Sequence, residues 1–172
     1  MTQNYNTSYL YEPTFVLTKQ LNIMQNPSQS TATQRMLKSP CINFMHAYAS
    51  HDMDQMMHLC DPNGEVWFKS LGEAGRGKIG ELGKAIWSGL IDCFPDIENT
   101  VHAAVTDAEG SVRCQVLISG TQAKDFADIP SKGLRFGSDH IFIFHLNEQN
   151  KIDRIQIEWD HEDLKRQLGA GR

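Results

Sequence analysis

The chain has little of what would assign it quickly. Four cysteines, at 41, 60, 93 and 114, form no C-x-x-C pair. That spacing is too sparse for the disulfide framework of a small secreted domain, and too dispersed for a zinc site. It reads as buried, reduced thiols in a cytoplasmic protein. Basic residues are outnumbered, 16 to 21, leaving a net charge of −5. A nucleic-acid surface would need a basic stripe, so nucleic acid is not expected as a partner. No run approaches the roughly 18 consecutive apolar residues of a membrane span. The polar stretch 1–10 also lacks a basic-then-apolar leader. The glycines between 72 and 83 follow no strand into a G-x-x-x-x-G-K-[ST] run, so they make no phosphate loop.

What is present describes one ordinary domain. At 172 residues, 40% hydrophobic and 22% charged, the chain is long enough to bury a core and reads as soluble and globular. Residues 1–35 are rich in Asn, Gln, Ser and Thr and read as a polar arm, partly disordered, with a helical turn or two between 15 and 24. Within it 25–34 reads as a linker. The domain proper is expected over 36–172.

Ser39-Pro40 predicts a helix start, with serine as N-cap and proline at the first helical position. Cys41, Phe44, Met45 and Tyr48 then recur at helical spacing, and Met53, Met56, Met57 and Cys60 form a second stripe. These methionines read as core filler. Asp61-Pro62-Asn63-Gly64 predicts a turn before a short strand over 65–69. A third helix is predicted over 78–93.

The remainder predicts strands over 98–107, 111–120, 134–146 and 151–159, joined as an antiparallel meander. A last short helix, 164–168, is capped by Asp160 or Asp163. Helices first and strands after give an α+β class, with helices packed on one face of a curved antiparallel sheet. Such a cone encloses a cavity between helices and sheet.

Alternation sorts the strand faces. Phe136, His140, Phe142 and Phe144 share one face of 134–146, and Ile155, Ile157 and Trp159 share one face of the last strand. Both are assigned to the interior. Ile141 and Ile143 then fall outside, as apolar surface suited to a homodimer interface. His140 is the titratable group of an otherwise apolar face and a candidate acid or base near neutral pH. His102 is a second candidate for the site. Asp160 is either a carboxylate at the cavity mouth or simply a helix cap. Trp67, Trp87, Phe126, Phe142, Phe144 and Trp159 are expected to line the cavity, an aromatic wall suited to a flat apolar ligand. The Asp160-His161-Glu162-Asp163 run reads as a solvated helix start, because adjacent residues cannot converge on one ion. No metal site is expected.

In order along the chain stand Ser50-His51-Asp52-Met53-Asp54, Gly77, Phe94-Pro95-Asp96 and Gly120-Thr121. Phe126, Ile129-Pro130, Gly133 and Lys151-Ile152 follow, then Trp159-Asp160, Leu164 and Gln167-Leu168-Gly169. Taken together they resemble the SnoaL-like polyketide cyclases, or ester cyclases, of the nuclear transport factor two-like superfamily. The resemblance covers roughly 36–169. It implies a cystatin-like roll, sheet-to-sheet homodimers, and ring closure by intramolecular aldol chemistry with no cofactor or metal. It places His140 near a family histidine position. The acid/base position of the family falls on Ile155 or Ile157, Gln115 stands where arginine is common, and Gln122 replaces the usual histidine after Gly-Thr.

Two readings follow. One is cofactor-independent acid/base chemistry (cyclisation, isomerisation or dehydration) on a small apolar carbonyl compound, with His140 and Asp160 as the candidate groups. The other is a non-catalytic ligand-binding or dimerising module on the same fold. A steroid-isomerase-like or dehydratase-like enzyme would need a carboxylate deep in the cavity, and alternation locates none.

Overall fold

The computed structural model describes residues 27–170. The expected arm over 1–26 lies outside the described residues. The first helix, α1 (Pro27–Ala49), starts twelve residues before Ser39 and runs straight through Pro40. This overturns both the linker at 27–34 and the helix start at Ser39-Pro40. Proline costs a helix one N–H donor, and residues on both sides of Pro40 continue the coil. Pro27 carries the same first-position preference that Pro40 does.

His51 ends this helix in the left-handed region, at φ 57°. Its Nε2 lies 2.8 Å from the Ile97 carbonyl, pinning the break to a segment 46 residues further along the chain. Asp52 then caps α2 (Met53–Leu59) by accepting from the Gln55 amide at 2.9 Å.

Strand β1 (Cys60–Phe68) is followed by a 3₁₀ segment (Lys69–Gly75), the short β2 (Arg76–Lys78), and a π-turn that opens α3 (Lys84–Cys93). The predicted turn at 61–64 is a bulge inside β1: Cys60 pairs with Ile152 and Glu65 already with Arg154. Strands β3 (Glu98–Thr106), β4 (Val112–Thr121), β5 (Arg135–Leu146) and β6 (Ile152–Trp159) precede α4 (His161–Gln167). All six strands join one curved, unclosed sheet in the order β2-β1-β6-β5-β4-β3. The meander β3 to β6 is antiparallel as expected, whereas β1 joins β6 in parallel. No helix among the described residues is long and apolar enough to cross a membrane.

The alternation assigned the faces of β5 and β6 correctly: Phe142 and Phe144 of β5 and Ile155 and Ile157 of β6 are buried against the helices, and so are Val66 and Phe68 of β1 and Cys114, Val116 and Ile118 of β4. Phe44 of α1 meets Trp87 of α3 edge-on at 5.2 Å and Phe144 of β5 at 5.6 Å, tying both helices to the sheet.

Motifs far apart in sequence meet here. The Asp96 carboxylate accepts from the Thr121 amide at 2.6 Å and from its hydroxyl at 2.8 Å. A Cβ on Gly120 would stand 3.2 Å from Ile97 Cα and 3.3 Å from Phe94 Cβ, so a larger residue would have to push the two turns apart by a few tenths of an ångström. Gln167 of α4 exchanges two hydrogen bonds with the Gly137 backbone, at 2.9 and 3.0 Å, docking the last helix on β5.

Candidate functional site

A cavity of about 380 Å³ opens between the sheet and the helices. Its wall is mostly apolar, built by Trp87 of α3, Phe136 and Phe142 of β5, Ile157 of β6, and Phe126 and Ile129 of the 122–134 loop. Buried Gln122 shapes that loop by donating from Nε2 to the Ile129 carbonyl at 2.9 Å. Phe126 and Ile129 then close a tight turn through reciprocal backbone bonds.

His140 stands in this wall, only 8% exposed. It faces inward because it occupies the Phe136/Phe142 parity of β5, between Val116 on one neighbour and Trp159 on the other. Its Nδ1 lies 2.9 Å from the Ser138 carbonyl. A carbonyl only accepts, so Nδ1 carries the proton and Nε2 the lone pair. Burial pushes its pKa down to about 4, against smaller upward pulls from the Ser138 carbonyl and Asp139. The expectation of an acid or base is thereby narrowed: near neutral pH His140 is uncharged, with the lone pair of Nε2 left to accept.

The other expected site residues divide. Trp87, Phe126, Phe142 and Trp159 do line the cavity. Trp67 does not. It has the opposite parity to Val66 and Phe68, points to the outer face, donates to the Gly72 carbonyl at 3.2 Å and carries the Arg76 guanidinium 3.7 Å over its ring. Phe144 has the inward parity but sits deeper, sealed between Phe44 and Phe142, and belongs to the core rather than the lining. His102 is exposed, at the irregularity of β3 between Val101 and Ala103, and lies outside the cavity lining. Asp160 is exposed and spends its carboxylate capping α4, accepting from the Asp163 amide at 2.9 Å. It is absent from the cavity wall for that reason.

Two residues of the site escape a reading of the sequence. Tyr48 belongs to a helical core stripe, yet it lines the cavity and its hydroxyl is buried with no hydrogen-bond partner among the described residues. His161 falls in what reads as a solvated helix start, yet its ring meets Trp159 edge-on at 5.9 Å, and its Nδ1, like Trp159 Nε1, is buried and has no hydrogen-bond partner among the described residues. Nothing local marks either residue. Among the described lining residues the one carboxylate is Asp128, exposed and paired with Lys165 at 3.0 Å. No group of three or more His, Cys, Asp or Glu is placed to hold a metal among the described residues.

The sequence pattern of the SnoaL-like domain matches residues 42–155, which is most of the chain. The chain belongs to the SnoaL-like family. No curated protein matches it. Among solved structures, this SnoaL-like chain is similar to a candidate SnoaL-like polyketide cyclase from Jannaschia sp. CCS1, at 15% identity over 80% of this chain and 94% of that one, with a TM-score of 0.70. It is similar to TsrD from Streptomyces laurentii at 22% identity, over 79% and 96%, with a TM-score of 0.68. IdmH, a candidate polyketide cyclase from Streptomyces antibioticus, matches at 20% identity over 77% and 98%, with a TM-score of 0.66. At such identities these likenesses establish the fold, the nuclear transport factor two-like roll. In this SnoaL-like domain Ile157 lines the cavity and Ile155 is core, so an apolar side chain occupies either candidate for the family's acid/base position. Gln115 points outward, opposite Ile141, and Gln122 supports the loop.

Proposed function

We propose that this SnoaL-like protein binds a small apolar carbonyl compound in the cavity and performs acid/base chemistry on it without a cofactor. The observation that carries the reading is the neutral imidazole of His140, its lone pair on Nε2, in an apolar cavity wall. In the elementary step Nε2 takes a proton from the carbon beside the carbonyl. The C–H electron pair moves onto the carbonyl oxygen as an enolate, and the imidazolium returns the proton to carbon or to a departing oxygen. Cyclisation, isomerisation and dehydration all begin in this way. Asp160, engaged as a helix cap, has no part in it.

The test needs no natural substrate. Washout of deuterium from the trideuteromethyl group of 2-acetylnaphthalene is followed by NMR. Wild type is expected to accelerate it, and His140→Ala to abolish the acceleration with a melting temperature within a few degrees of wild type. Equal washout by both proteins sinks the assignment.

Ile157 in the wall favours the second reading, a binding module without chemistry. That reading predicts binding of the same ketone with no accelerated washout by wild type.

Association through the outer sheet face is part of the proposal. Half-buried Ile141 and Ile143 lie there beside Leu117, with Val105 61% exposed. Sedimentation should show a dimer that Ile143→Glu dissociates; a monomeric wild type overturns it. A reducing, cytoplasmic setting suits the buried thiols of Cys60 and Cys114, which burial raises to about 12 and about 11 and so keeps protonated.

A further inference from the structure

Four residues of the cavity lining are exposed and so mark its mouth: Leu71, Ala85, Ala127 and Asp128. Two of these are alanines, and Asp128 is paired with Lys165 at 3.0 Å. Leu71, 38% exposed, is therefore the bulky apolar side chain of the opening. Val105 and Leu134 are the other large hydrophobics exposed among the described residues, and neither belongs to the lining. A leucine left at an opening forgoes part of its burial energy, which a ligand body lying against it would recover.

Leu71 belongs to the 3₁₀ segment Lys69–Gly75, where its neighbours hold it in one place. On one side Ser70 is fastened to the Trp159 backbone, donating to its carbonyl at 2.6 Å and accepting from its amide at 3.3 Å. On the other, Gly72 adopts φ 63° and ψ −143°, a region that residues with a Cβ avoid. A Cβ there would meet nothing within 4 Å, so the backbone turn and not crowding calls for glycine. Gly75 closes the segment: a Cβ on it would stand 2.2 Å from the Phe68 carbonyl oxygen and 3.1 Å from Leu71 Cβ. Leu71 is thus presented by a tight loop whose anchor, Trp159, stacks on His140 at 5.7 Å.

We propose that Leu71 is the specificity residue of this site: its side chain packs on the ring system of the bound ketone and limits how far that ring system extends through the mouth. This rests on the cavity-binding reading above and gives its substrate a dimension. The cavity volume of about 380 Å³ lies near the lower end for ligand sites, roughly 300–1,000 Å³, which favours a compact ring body. A leucine held by its backbone then acts as a wall. It favours a body that ends against it and rejects one that must pass through it. Ala85 and Ala127, with one methyl group each, are too small to take over that role.

The test titrates 2-acetylnaphthalene and 2-acetylanthracene, longer by one ring, into the full chain and follows ligand fluorescence. Wild type should bind the shorter ketone more tightly. Leu71→Ala should weaken the shorter ketone and strengthen the longer one, moving the ratio of their dissociation constants by about 10-fold, the lower range for small changes in a hydrophobic pocket. Leu71→Phe should move the ratio the other way. Leu134→Ala, which shortens a comparably exposed leucine outside the lining, should leave the ratio unchanged. A ratio unmoved in both Leu71 variants overturns the assignment and leaves the cavity-binding reading standing. So does a wild type that prefers the longer ketone, or an equal change in Leu134→Ala. Failure of wild type to bind either ketone overturns both. Should Leu71→Ala melt early, Leu71→Phe decides: a ratio it leaves unmoved overturns the proposal.

Discussion

The imidazole of His140 and the indole of Trp159 stack 5.7 Å apart with 19° between their planes. They are register partners across β5 and β6, so the sheet's own hydrogen bonding sets the stack. Trp159 in turn meets Phe68 edge-on at 6.5 Å and His161 at 5.9 Å. Its backbone is gripped on both sides by Ser70, whose hydroxyl donates to the Trp159 carbonyl at 2.6 Å and accepts from its amide at 3.3 Å. The candidate base is thus held by a ring that is itself held. That is the condition for keeping a proton acceptor in one orientation inside a cavity.

The depressed pKa of His140 makes stability depend on acid. Its ordinary value is 6.5 and its folded value about 4, so between those limits the unfolded chain binds a proton that the folded one refuses. The contribution is fully present above pH 6.5 and is lost as pH falls toward and through 4, amounting to about 3 kcal/mol at the acid end. His140→Phe removes this component. Chemical denaturation at pH 7.5 and pH 4.5 should show a smaller acid-induced loss in the variant than in wild type; equal losses would contradict the burial argument.

Asp160 separates cap from catalyst. Asp160→Ala deletes the acceptor for the Asp163 amide and should cost about 1 kcal/mol of stability. Deuterium washout per folded molecule should be unchanged. A large loss of washout with an intact fold would return Asp160 to the site.

Phe144 is read as core and not as lining. Phe144→Ala removes a ring that is wholly buried between Phe44 and Phe142, and should destabilise by about 3–5 kcal/mol. The urea midpoint should fall with little change in slope. A nearly unchanged midpoint would mean that the ring faces open space.

Trp67 belongs to the outer face. Trp67→Ala strips a surface where Arg76 lies on the ring, and should leave 2-acetylnaphthalene affinity within about 2-fold. The substitution removes a cation–π pair worth about 0.5–1 kcal/mol, and that energy belongs to the fold alone. A large loss of affinity would place the indole in the ligand site after all.

How much of this is readable in advance depends on the range of the forces involved. Side chains alternate along a strand and recur every three to four residues along a helix, so local pattern alone puts His140, Phe142 and Ile157 inward and Ile141 and Ile143 outward. The turn chemistry around Phe94-Pro95-Asp96 and Gly120-Thr121 is visible in the same way, and with it the family roll. Proline misleads at position 40, where a helix forgoes one donor and continues. Tertiary structure decides what no local rule reaches. The parallel pairing of β1 with β6 and the seating of α1 over the sheet determine which inward residues seal the core, as Phe144 does, and which line the cavity, as Tyr48 and His161 do. Parity tells a side chain which way to point. Whether it finds a neighbour, a void or a hydrogen-bond partner depends on elements nearly a hundred residues away, as when Ser70 fixes Trp159 and Trp159 stacks on His140.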